Sequence, residues 1–83
     1  MVIITVHYHA ILREKLCRSS EIFSLEPSQL NGEVLFNLVA AKYPAFQSLR
    51  ASLQVAVNNE IVKGPVALKN GDTIDFLPPF GGG

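Results

Sequence analysis

Apolar and polar residues alternate over positions 2–8. Ile4, Val6 and Tyr8 fall on one side, and Ile3, Thr5 and His7 on the other. Successive strand side chains point to opposite faces, and the run is rich in β-branched residues, so the pattern predicts a strand. The period then changes. In residues 10–17, AILREKLC, positions Ile11, Leu12, Lys15 and Leu16 share helical spacing while Arg13 and Glu14 turn outward, which predicts a short helix. Alternation returns over residues 21–25, with Phe23 and Leu25 inward, and Pro27-Ser28-Gln29 breaks the chain. Asn31 is a candidate N-cap, and Glu33 lies in a first turn where the helix dipole favours an acid. The helix opened there runs through Val34, Leu35, Leu38 and Val39 to about Tyr43, and Pro44 ends it. Residues 45–52 read as a linking segment with room for a turn of helix.

Residues 53–57 predict a third strand, with Leu53, Val55 and Val57 on one face. Asn58-Asn59 predicts a tight turn, because Asn tolerates positive φ, and residues 60–62 form the short return strand. Lys69-Asn70-Gly71-Asp72 is a second turn. Residues 73–77 are the last strand, with Ile74 and Phe76 inward and Asp75 and Leu77 outward, and Pro78 stops further pairing. The first and last strands are strongly apolar and belong at the buried centre of a mixed sheet. One main helix across one face buries this pattern most simply. The expected architecture is α+β, a β-grasp or ubiquitin-like domain over residues 1–77 with a flexible, extended tail over 78–83.

Composition narrows the function. Eighty-three residues make one domain near the lower size limit, and 48% hydrophobic against 17% charged content supports a core without staples. A formal net charge of zero gives no basic field for nucleic acid or anionic lipid. The single cysteine, Cys17, excludes an internal disulfide and fits a reducing compartment. Inside an amphipathic pattern it is expected to be a buried thiol. No apolar run approaches bilayer length, the N-terminus reads as a strand rather than a leader, and the expected location is the cytoplasm. His7 and His9 share a strand face but lack a third ligand nearby, so no metal site is expected. Glu14, Glu33 and Glu60 are scattered and form no carboxylate pair.

The chemistry concentrates in Phe76-Leu77-Pro78-Pro79-Phe80-Gly81-Gly82-Gly83. A glycine run buries nothing and is costly to order, but it can thread a narrow channel. That makes sense if the carboxylate of Gly83 is the working group. Pro78 and Pro79 favour an extended segment, and residues 78–83 could reach roughly 20 Å. No Lys-Ser/Thr and no helix follows the glycines, so they are not a phosphate loop.

Four segments carry a family resemblance. Ala10-Ile11-Leu12-Arg13-Glu14 resembles an A-x-L-R-E element. Val55-Ala56-Val57-Asn58 followed by Ile61-Val62 resembles an A-V-N turn region. Asn70-Gly71-Asp72 resembles a G-D turn before the last strand, and residues 76–83 resemble an F-x-P-P-x-x-G-G terminus. Together, and in this order, they resemble the MoaD/ThiS sulfur-carrier family, most closely the small subunits of molybdopterin synthase. Phe80 stands where the family usually has a smaller aliphatic residue, and Gly81 where alanine or a small polar residue is common.

The resemblance implies that an E1-like enzyme uses ATP to adenylate Gly83, and that sulfur from a sulfurtransferase persulfide then converts it to a thiocarboxylate. The sulfur would be given to the dithiolene of molybdopterin on the large synthase subunit, in a heterotetramer. The chain itself would bind no cofactor and would not be catalytic alone. Gly82, Gly81, Phe80, Pro79 and Pro78 would thread into the partner. By alternation the sheet face away from the helix would dock it through Ile3, Thr5, Ala56, Asp75 and Leu77. Arg13 would pair with a carboxylate of the partner or of its own fold. Alternatives are a carrier for thiamine thiazole, amino-acid or tRNA thiolation, a ubiquitin-like modifier joined to lysines, and an interaction domain with an inert tail.

Overall fold

The structure, a computed structural model, describes residues 1–78. Strands β1 (Val2–Tyr8), β2 (Ser20–Leu25), β3 (Gln54–Val57), β4 (Glu60–Val62) and β5 (Thr73–Leu77) form one sheet in the order β2-β1-β5-β3-β4. β1 and β5 are parallel neighbours at its centre, and the other pairs are antiparallel. The first and last strands, both strongly apolar, therefore take the central places, as their sequences predict. Their inward residues, Ile4, Val6, Tyr8, Ile74 and Phe76, are at most 1% exposed.

Helices α1 (Ala10–Leu16), α2 (Gly32–Lys42) and α3 (Pro44–Leu49) cover the inward face. The Asn31 side chain caps α2 by accepting from the Val34 amide at 3.0 Å. Glu33 stands in the first turn of α2 and Lys42 in the last, each complementing the helix dipole. Leu35 and Val39, one turn apart, are fully buried, whereas Leu38 is 40% exposed. Phe36 takes the other flank of the stripe, with its ring 5.6 Å from that of Phe76. Gly32 is required by close packing: a Cβ there would lie 2.7 Å from Val66 Cβ.

Two expectations are corrected. Residues 45–52 are not merely a link. Pro44 ends α2 and also starts α3, because a proline at the first helical position loses no hydrogen bond. Phe46 of α3 is 1% exposed and meets Phe76 edge to face at 5.0 Å, so α2 shares its covering role. Cys17 is exposed rather than buried. It caps α1 in the left-handed conformation, φ 56°, which turns its side chain away from the helix's apolar stripe.

The two predicted turns form and are tied together. Asn58 and Asn59 have φ of 50° and 72°, as a tight hairpin needs, and Gly71 has φ of 88°. The buried carboxylate of Asp72 accepts from the Asn58 side chain at 2.9 Å and from the Lys69 amide at 2.8 Å. Asn58 Oδ1 in turn accepts from the Thr73 amide at 2.9 Å. Two of the short motifs thus lock the hairpin β3–β4 to the entry of β5. Among the described residues, no helix is long and apolar enough to cross a membrane.

Candidate functional site

The end of β5 positions whatever follows it. Phe76 anchors the strand from inside, stacking on Tyr8 with ring centroids 6.2 Å apart and meeting Phe36 and Phe46 edge to face. Leu77 pairs with Gln54 of β3 and is half-buried, as is Pro78. The last described residues therefore leave the sheet from its centre, on a strand held from both sides. Pro79, Phe80, Gly81, Gly82 and Gly83, expected to enter a partner, lie outside the described residues.

The outward face of the sheet holds the expected docking residues in two groups. Thr5 pairs with Thr73, so Ile3 lies at the start of the central strands and Leu77 at their end, about 20 Å away along the strands. At the start, Ile3 is 39% exposed and Thr5 is half-buried opposite Ile22, itself 67% exposed. At the end, Asp75 and Leu77 are half-buried. Ala56 sits between Asp75 and Ile61 in register and is only 5% exposed, because a methyl group cannot rise above such neighbours. It shapes the floor of the patch and offers little surface. Arg13, on α1, is exposed, and its guanidinium forms no ion pair among the described residues.

The sequence reading missed Ile22 and Ile61 on this face. Alternation already pointed to Ile22, since Phe23 and Leu25 were assigned inward. Ile61 follows from a two-residue turn that pairs it with Ala56. Also missed was a polar pair: His9 Nε2 lies 2.8 Å from Asp75 Oδ1, with the His7 ring 6.4 Å from that of His9. Among the described residues no group of histidine, cysteine and carboxylate side chains could hold a metal ion.

On the inward side a cleft of about 250 Å³ lies beside Phe76, lined by Phe36, Phe46 and Leu53. Its polar groups are already engaged with one another. Arg50 stacks over Phe36 at 5.3 Å and donates to Glu33 and Asn37. This arrangement packs a helix end and presents no convergent catalytic set.

Comparison with known proteins places this geometry. The model of the ThiS family matches residues 6–83. The molybdopterin synthase sulfur carrier subunit of Chlamydomonas reinhardtii is 33% identical over 82 residues, covering 96% of this chain and 98% of that protein. The small archaeal modifier protein 1 of Methanosarcina acetivorans superposes with a TM-score of 0.82 at 24% identity, covering 100% of this chain and 98% of that one. A chain from the Helicobacter pylori complex of subunits 1 and 2 of molybdopterin-converting factor gives a TM-score of 0.73 at 17% identity, covering 99% and 100%. The two structural likenesses establish the β-grasp fold.

Proposed function

The chain belongs to the ThiS family, and from that premise we propose that it is the sulfur-carrying small subunit of a molybdopterin synthase. The observation that carries this reading is the near full-length match to a sulfur carrier subunit, together with the Phe-Leu-Pro-Pro-Phe-Gly-Gly-Gly run that begins in the last strand.

In this reading Gly83 is the reacting residue. An unactivated carboxylate is a poor electrophile, so an E1-like enzyme first joins it to AMP with loss of pyrophosphate. A persulfide sulfur then displaces AMP to give an acyl disulfide, and a second thiol attacks the donor's sulfur, forming a disulfide with it and releasing the thiocarboxylate. ATP is consumed by that partner, and this chain contributes a handle. Gly82 and Gly81 keep the handle slim, Pro78 and Pro79 hold it extended, and Phe80 fills a partner groove. The outward sheet face and Arg13 dock the partners: the activating enzyme, then the large synthase subunit that carries out sulfur insertion. The Helicobacter complex of subunits 1 and 2 supports a large-subunit partner.

The likeness to an archaeal modifier favours one second reading, attachment to lysines of other proteins by an isopeptide bond. The two readings differ in what accumulates. Protein isolated from its own cells through an N-terminal tag should be free and carry a terminal thiocarboxylate. Recovery mainly as conjugates, with glycine remnants on target lysines, would replace the carrier reading with the modifier reading.

A further inference from the structure

We infer that Asp75 is the electrostatic contact of the outward docking face, that it receives a lysine or arginine of the partner, and that His7 and His9 make this contact sensitive to pH. The inference rests on the carrier reading, which brings a partner onto this face. It deepens that reading by giving the partner's chemistry.

By strand register the outward positions are aliphatic, Ser, Thr or Gln, apart from His7 and Asp75. Asp75 is the only carboxylate there, level with His7 on β1 and Ala56 on β3. Its side chain is 16% exposed, and His9 at 2.8 Å occupies Oδ1. No hydrogen bond from the described residues reaches Oδ2. Beside it lie Ile61, 49% exposed, and Leu77, so a partner covering the apolar residues also covers the carboxylate. A carboxylate desolvated with an open oxygen is unfavourable unless a donor meets it. A partner cation meets this point best, since it supplies the donor and complements the negative charge.

The surroundings decide the pH response. Facing Asp75 are His7 on β1, His9 at the start of α1 and the neutral Ala56 of β3. Ser20 of β2 faces the other side of His7, and Arg13 stands a turn further along α1. Glu21 and its cations lie on the opposite, inward side of β2. With neutral imidazoles this group carries −1 from Asp75. With both protonated it carries −1 + 2 = +1. Histidine is the side chain suited to such a change of charge, and protonation of either ring moves this group toward positive. Protonation supplies Asp75 with an internal cation and repels the partner's.

The test is titration calorimetry of the whole chain against the large synthase subunit of the same organism, at about pH 8 and about pH 5.5. The dissociation constant should rise about tenfold on acidification. Asp75→Asn should weaken binding about tenfold at the higher pH and remove most of the difference between the two. The double variant His7→Gln, His9→Gln should bind with little pH dependence, and a loss on acidification equal to the parent's would place the titration on the partner and overturn the role of these histidines. Tighter binding in acid, or full-strength binding by Asp75→Asn at pH 8, overturns the inference and leaves the carrier reading intact. No binding at either pH overturns both.

Discussion

A carboxylate with 6% of its side chain exposed is costly unless donors meet it, and Glu21 meets four. Tyr43 donates to Oε1 at 2.8 Å and Tyr8 at 3.2 Å, while Lys42 and Arg18 reach Oε2. Burial pushes the carboxyl pKa up, but the bonds from Lys42 and Tyr43 outweigh it, and the net shift is downward from the ordinary 4.5. Burial and the Glu21 charge push both phenols upward, so they remain donors. The sign follows. A folded-state pKa below the unfolded one gives stability that is present above 4.5 and is lost as pH falls through the folded value. Glu21→Gln should cost about 1–3 kcal/mol at neutral pH by denaturant unfolding. The gap to the wild type should narrow in acid. A gap that widens below pH 4.5 would contradict the cluster's assigned role.

At the level of elements, α3 is the sharpest case. It is six residues long, too short for a periodic pattern, and its value to the fold lies in Phe46. Phe46→Ala should lower stability by about 3–5 kcal/mol, measured by urea unfolding, because the ring packs into Phe76 beneath the sheet's centre. A loss below about 1 kcal/mol would mean that α3 is a surface link. β1, β2, β3 and β5 are legible from alternation and β4 from the turn that precedes it, and apolar content points to the central places of β1 and β5. The Asn31 cap and both turns were legible from residue type. What the pattern could not carry was long-range. Whether Ala56 rises above Asp75 and Ile61 depends on register, and the pairing of His9 with Asp75 joins residues 66 positions apart. Cys17 was misjudged because periodicity continues on paper one residue past the turn that ends the helix.

For the molecule as a whole, the design is a packed sheet with β5 clamped at its centre, between β1 and β3. The described core is built from residues between Val2 and Phe76. The account assigns the chemistry to the terminal stretch and the recognition to the outward face, so the two should separate by mutation. Removing Gly83, or Gly82→Ala, should abolish sulfur loading while leaving the melting temperature within about 1 °C of the parent. A large fall in melting temperature would mean that the tail helps to build the domain. The measurement that decides most directly is the intact mass of the protein after incubation with its E1-like enzyme, ATP and a persulfide sulfur source under reducing conditions. The account predicts a gain equal to replacing one oxygen by sulfur, located at Gly83 by fragmentation and absent when Gly83 is deleted. An unchanged mass with active partners, or sulfur found elsewhere in the chain, would contradict it.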